Sequence, residues 1–492
     1  MEGERSDVAP RIGPLAWLSR PVRATWLVWF RRTLGGAVLW ETFHSYRSAS
    51  WSAVHIDPVI RVPMPGLEFL QVSGGTSLHA VWLGIMVAAA LTLVGRGGRL
   101  APAVMALLLL VDFAQDASLY LNHHYLLVLL SLVAAFIPTV GARGTAPWSA
   151  LFLVRFQITV PYVYASLAKF DPDWLTGIVM NQMLVAREST FGWAVSMPYQ
   201  AEVMTLAGVF LDGLAPLMLW RGVGRRFAWA GMCVFHIANS GLFNIGVFPW
   251  LMLLITPVLL PDDTLPRLLG ALRNGSMGQR AALLIPAVVL AVVGALWPAN
   301  ASVLTIAVSA WAGAIGGYLF LEPSLAVAEP PVATEFPRTH SLPLVVLAVW
   351  VVTQIVVPFR HLAIPGDVTW TEEGHRYSWR MLLRTKRVTS ALIEVTNPAT
   401  GDSWYLGPND LLEPHQATDV LGRPDLVVGF ARAIAKQWEE AGVPGVEVRL
   451  RVQVSLNRRP PVLMYDPSVD LAHVDASAPA SWIQPTPRER WL

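Results

Sequence analysis

Up to about residue 358 this chain is built from apolar runs that only a bilayer or a very large core can bury. They fall near 25–42, 79–95, 101–118, 124–141, 149–168, 203–220, 227–243, 246–260, 281–297, 300–321 and 342–358. Each approaches the roughly 17–25 residues that carry a helix across hydrocarbon. Backbone in lipid must satisfy its own N–H and C=O groups, and for single apolar segments the helix does so. The composition agrees, with 54% hydrophobic and 14% charged residues, where soluble domains run near roughly 25% charged. The 21 tryptophans suit membrane interfaces. The expected fold is an α-helical polytopic membrane bundle of about 9–11 transmembrane helices over residues 25–358, preceded by a cytoplasmic segment 1–24.

The connections "VGRGGRL" (94–100), "GARGTAPW" (141–148) and "WRGVGRRF" (220–227) carry arginine and no acid, which places them in the cytoplasm. Counting spans then puts 43–78, 119–123, 169–200 and everything after 358 on the other side. The linker 322–341 is acidic and lends that count no support. Beyond 360 the pattern changes. "YSWRMLLRTKRVTSALIEVTNPATGDSWYL" reads as a hairpin turning at "NPATGDS", "DLVVGFARAIAKQWEEAG" as a helix, and "GVEVRLRVQVSLN" as a half-buried strand. Residues 359–492 are thus expected to form a small α+β extramembrane domain with an irregular tail. A net charge of +2 gives no reason to expect nucleic acid as a partner. The single Cys233 excludes an intrachain disulfide and a Cys-based metal site. The first residues lack the pattern of a secretory signal.

Ionisable groups inside spans are costly and point to function. Lys169 closes an apolar run in "YVYASLAKFDPDWL" and is the only lysine before Lys386. Arginine serves elsewhere as the cation. Only lysine can become a neutral amine and act as a base, although a lysine at a helix end can also snorkel to the headgroups. Asn122, His123 and His124 open the fourth run, Arg155 and Gln157 lie in the fifth, and Asp212 in the sixth. His236, Asn239 and Asn244 lie in or after the seventh, and His361 opens the extramembrane segment. Together they are expected to line one polar cavity near the outer leaflet. Arg155 and Asp212 form the expected structural ion pair. The histidines His123, His124, His236 and His361 raise a zinc site, but no HExxH or paired-Cys spacing supports it, and no metal is expected. Phosphate loops and a GxSxG elbow are absent, which disfavours NTPases and α/β-hydrolases.

"NHHYL" (122–126), "RFQITVPYVYASLAKFDPDWL" (155–175), "FHIANSGLFNIGVFPWLM" (235–252), "YSWRMLL" (377–383) and "VSLNRRPPVLMYDPSVD" (454–470) resemble the vitamin K-dependent γ-glutamyl carboxylases and their bacterial relatives with a horizontally transferred transmembrane domain. The resemblance spans most of the chain. It implies that Lys169 is the catalytic base that deprotonates vitamin K hydroquinone, or menaquinol, in a dry pocket that keeps the amine neutral. Oxygen then converts the quinol anion to a strongly basic alkoxide, which removes a γ-proton from a peptide glutamate. The carbanion captures carbon dioxide, and the quinone leaves as its epoxide. By the same resemblance Asn122 and His123 hold the quinol oxygens and stabilise negative charge. His236 and Asn239 line the cavity, and His361 supports it. Arg155 and Gln157 join them as quinol-binding candidates on their position in the fifth run.

The pattern departs from the animal enzymes in three places. Ala168 replaces the first of two lysines, the chain ends soon after "SWIQP", and only one cysteine is present. The first is minor, since the matching lysine remains, and the other two bear on how a protein substrate is recognised. They leave open a quinol epoxidase without peptide carboxylation. A transporter or lipid-binding protein is the reading from a different class, but no internal repeat supports it. The expected setting is a bacterial inner membrane, with the site and C-terminal domain extracytoplasmic.

Overall fold

The computed structural model describes residues 18–48, 50–140, 144–188, 198–243, 245–296, 302–321, 344–475 and 480–487. Most of segment 1–24, the acidic linker 322–341 and Asn244 lie outside these residues. The helices of the apolar part are α1 (Thr25–Tyr46), α2 (Gly75–Leu93), α3 (Leu100–Ala114), α4 (Asn122–Phe136), α5 (Trp148–Ala168), α6 (Gln200–Arg221), α7 (Arg225–Leu242), α8 (Phe248–Ile255), α9 (Thr264–Asn274), α10 (Met277–Leu296), α11 (Val303–Leu321) and α12 (Leu344–Val356).

Among the described residues six helices are long and apolar enough to cross a membrane, or seven if the bent pair Phe248–Leu259 and Thr264–Asn274 is one span. The apolar runs alone suggested more, and the difference has local causes. α3 and α4 are 15 residues each, about 22 Å long. α3 gives way to a short turn capped by Asp116, which accepts from the Ser118 N–H at 2.9 Å. α4 stops before Pro138, which disfavours helical backbone at Ile137. The run 246–260 meets Pro257 and Pro261, and the chain turns there by 97°. α1 is 22 residues long but carries Arg31, Arg32 and Glu41. Helices α10 and α11 approach closely because Gly313 and Gly317 lack side chains: a Cβ at either would lie 2.2 Å from the Pro286 carbonyl or 2.4 Å from that of Ala282.

The C-terminal region holds a four-stranded antiparallel sheet of β1 (Lys386–Thr396), β2 (Ser403–Leu406), β3 (Glu447–Leu456) and β4 (Val462–Leu463), in the order β2-β1-β3-β4. Helices α13 (Pro414–Gly422) and α14 (Pro424–Glu440) accompany it. Val448, Leu450, Val452, Val454 and Leu456 alternate into the core, where Leu426, Val427, Phe430 and Ile434 of α14 meet them. Hairpin turn, helix and long strand fall where the periodicity put them. The stretch 377–385 is not strand: Tyr377, Trp379 and Leu382, with Glu372 just before them, have positive φ, which breaks any pleat.

This second core does not end at the sheet. It takes in Ile60, Val62, Met64, Ala117 and Tyr120 from the bundle's connections and Phe113 from the end of α3. Gln416 donates to the Ile60 carbonyl at 3.1 Å and to Asp116 at 2.8 Å. The sheet region is thereby held against one end of the helical bundle.

Candidate active site

Lys169 sits at the C-terminal end of α5 with only 5% of its surface exposed. Its ammonium nitrogen lies 2.6 Å from Oδ2 of Asp212 on α6, 3.3 Å from the Ala165 carbonyl and 5.2 Å from the centre of the Trp174 ring. Asp171, Asp173 and Trp174 of the following corner each have a structural task. Asp171 caps the short helix Pro172–Leu175 by accepting from the Asp173 N–H at 3.0 Å. Trp174 donates to the Thr205 carbonyl at 3.3 Å. Asp173 is buried and accepts both Arg459 guanidinium nitrogens at 2.8 Å, with Asn457 at 2.5 Å. The "NRR" of the C-terminal region thus clamps the corner that carries the lysine. Removing one partner of a buried pair costs about 3–5 kcal/mol. Arg459→Ala should therefore lower the unfolding midpoint well below wild type, whereas Arg458→Ala should leave it within the ordinary surface range. Equal midpoints for the two variants would contradict the clamp.

Lys169 and Asp212 face a cavity of about 470 Å³ that is also lined by Asn122, His123, His236 and Asn239, within the size range of small-molecule sites. His123 and His236 are buried, and Phe248 lies between them, its ring centre 6.4 Å from each. Tyr162 bonds Nε2 of His236 at 2.8 Å and Thr256 at 3.1 Å, leaving Nδ1 of His236 without a protein partner. Oδ1 of Asn122 accepts from the Tyr120 hydroxyl at 3.0 Å, and that hydroxyl accepts from the Tyr377 N–H at 2.8 Å. The acceptor end of Asn122 is thus taken up by the scaffold, and its amide N–H groups remain to donate.

The C-terminal region lines the same cavity. Glu372, His375, Arg380, Arg384, Lys386 and Arg423 line it. Glu372 is buried amid three cations: it pairs with Arg384, with Arg423 at 3.0 Å and with Lys386 at 3.4 Å. Burial pushes its carboxyl up, but Arg384, Lys386 and Arg423 overcome this and hold it well below the usual carboxylate range. Burial lowers Lys386 to about 8 against the pull of Glu372. The segment that brings these groups in carries Glu372, Tyr377, Trp379 and Leu382 in left-handed backbone. Such conformations cost roughly 1–3 kcal/mol each and persist only where packing dictates them. Trp379 is fully buried and packs 5.1 Å from the Tyr125 ring.

Of the residues singled out in the sequence, Asn122, His123, Lys169, His236 and Asn239 share this cavity; Arg155, Gln157 and His361 do not line it. Arg155 donates to the carbonyls of Val258 and Leu260 at 2.8 and 2.5 Å, satisfying the chain where it bends after α8. The expected Arg155–Asp212 pair is therefore replaced by Lys169–Asp212. Gln157 accepts from Trp350 at 3.0 Å. Nδ1 of His361 lies 3.0 Å from the Pro358 carbonyl, and Gly374 packs against its backbone, where a Cβ would come within 2.7 Å. Sequence reasoning missed the cationic lining altogether, because left-handed turns of non-glycine residues leave no signal. It also missed that Glu41 of α1 converges with His123 and His124, their ligand atoms all within 4.8 Å. That His₂–carboxylate set is of a kind that can hold a divalent cation.

Comparison with known families places the two parts separately. The HTTM domain matches residues 19–263, and the vitamin K-dependent gamma-carboxylase lumenal domain matches residues 339–489. No solved structure matches the chain. The two matches fall on one polypeptide whose helices are long and apolar enough to cross a membrane, and this integral membrane protein belongs to the vitamin K-dependent gamma-carboxylase family.

Proposed function

We propose that the protein is a vitamin K hydroquinone-dependent γ-glutamyl carboxylase that couples quinol epoxidation by oxygen to carboxylation of a peptide glutamate. In balance, quinol and oxygen give quinone epoxide and water, while the glutamate γ-carbon exchanges a proton for carbon dioxide. The observation that carries the reading is a single cavity lined by two chemically different sets of residues, one from the helical bundle and one from the C-terminal region. From the bundle Lys169 offers an amine whose proton can pass to Asp212, 2.6 Å away. The amide N–H groups of Asn122 and the ring of His123 offer donors for a quinol oxygen as it gains negative charge. Apolar walls from Phe248, Met252 and Leu211 suit a lipid-soluble quinol and exclude water that would quench a strong base.

In the C-terminal lining Arg380, Arg384, Lys386 and Arg423 outnumber Glu372 and Asp419, which favours an anion. The carboxylate of the reacting glutamate is the anion this lining receives, with its γ-carbon directed toward the quinol. The two sets give separable kinetics. Asn122→Ala and His123→Ala should slow epoxide formation whether or not peptide is present. Arg384→Gln should raise KM for a glutamate peptide and leave quinol-dependent epoxide formation near wild type. Identical effects of all three on both products would sink the two-part reading. Epoxide without any carboxylated peptide, across several glutamate peptides, would mark a quinol epoxidase.

Lys386 supplies a pH test. Its amine loses its charge near pH 8 rather than near 10, so the anion site weakens as pH rises through 8. Peptide KM should climb across that window in the wild type and stay flat in Lys386→Arg, whose charge persists. The same shift enters stability with a definite sign. Between about 8 and 10.4 the unfolded chain holds the proton that the folded chain has released, so Lys386 makes the fold more stable as pH rises there.

A further inference from the structure

A second cavity, of about 320 Å³, lies between α1, the turn joining α2 to α3, and the C-terminal end of α4. Arg31, Arg32, Arg96, Thr92, Gly95 and Gly98 are among its lining residues, and no aspartate or glutamate lines it. α4 relates it to the candidate active site: Asn122 and His123 open that helix at one cavity, and Phe136 ends it beside the other, about 22 Å away. Two arginines are engaged by the fold. Arg31 donates to the carbonyls of Ala134 and Ile137 at 2.6 and 2.9 Å, and Arg99 to those of Ala135 and Phe136, each at 2.7 Å. They neutralise the negative end of α4. Nε of Arg31 is nevertheless buried without a partner. Arg32 reaches over the α2–α3 turn, its guanidinium 3.7 Å from where a Gly95 Cβ would stand. No carboxylate among the described residues pairs with Arg32 or Arg96.

We propose that this cavity binds a phosphate group, as carried by the headgroup of an anionic phospholipid. Arg32 and Arg96 are exposed at this cavity with no acid among its lining residues, so their charges are open to an anion, and arginine matches phosphate oxygens in pairs. The flanking residues point to a phosphate that brings acyl chains with it: Leu91, Leu93, Val94 and Leu100 are all exposed here, Leu100 by 70%. The glycines at 95 and 98, with φ of 75° and 59°, let the turn fold back over the site without a side chain to fill it. Bound lipid would tie α1, α2, α3 and α4 together at the end of the bundle opposite the catalytic cavity.

The test uses the full chain in phosphatidylcholine nanodiscs with and without phosphatidylglycerol, and in phosphatidylcholine discs with added inorganic phosphate. Retained lipid is read by native mass spectrometry and stabilisation by the thermal midpoint. Phosphatidylglycerol should be retained and should raise the midpoint. Arg32→Gln with Arg96→Gln should weaken that retention by about 30-fold, at the level of about 1 kcal/mol for each arginine near an anionic surface, while the midpoint in phosphatidylcholine alone stays put. The single Arg96→Gln carries the same test should the double variant not fold. Stabilisation by inorganic phosphate, lost in the variant, would support the phosphate site and assign its source to solution. Phosphatidylglycerol retained no better than phosphatidylcholine, with no response to phosphate, would overturn the proposal, as would full retention in the arginine variants.

Discussion

Lys169→Ala should abolish epoxide formation and carbon dioxide fixation together, by about 10³-fold, the middle of the range for losing a positioned general base. The loss should be this large because the amine that meets Asp212 is gone. The other cations that line the cavity are Arg380, Arg384, Lys386 and Arg423, all from the C-terminal region. An arginine cannot release a proton, and Lys386 is held by Glu372. Lys169→Arg makes the experiment sharper. It preserves a cation for Asp212 but removes the base, so it should be as inactive as the alanine variant while remaining folded. Activity in Lys169→Arg would mean that the position supplies charge, and the proposed role would be wrong. Both products should fall in step, since on this account fixation depends on the oxidised quinol.

Asp212→Asn should produce the largest loss of stability of any single change considered. The Lys169 and Asp212 side chains are 6% and 7% exposed and meet at 2.6 Å. Taking the charge from one partner leaves the other buried without compensation, at about 3–5 kcal/mol. Combining Lys169→Met with Asp212→Leu should destabilise less than the sum of the single changes, because two apolar groups need no partner. Additive effects would show that the two side chains do not meet in the folded protein.

The pairing of Lys169 with Asp212 also shows where a linear reading stops. Polar residues inside apolar runs are conspicuous, and for that reason Lys169, Asn122, His123, His236 and Asn239 were identifiable before any coordinates. Which polar residue meets which depends on how α5 and α6 lie beside each other, and periodicity carries no information about that. Arg155 and Asp212 are both charged and both buried, yet they serve opposite regions of α5. The strand alternation of 447–456 was legible because one face is buried and the other exposed. The loop 372–385 was not, because its shape comes from packing: Trp379 in its pocket, Tyr377 on Tyr120, and Glu372 among its cations. The cationic lining of the cavity rests on that loop, so half of the proposed reaction site was out of reach of sequence patterns.

The most direct measurement gives purified wild-type protein in lipid nanodiscs vitamin K hydroquinone, oxygen, labelled bicarbonate and a short glutamate-rich peptide, and follows epoxide and acid-stable label in the same sample. The account predicts that both appear, that the label resides on glutamate side chains, and that omitting quinol removes both. Label without quinol, or neither product from a folded protein across several quinols, would contradict it.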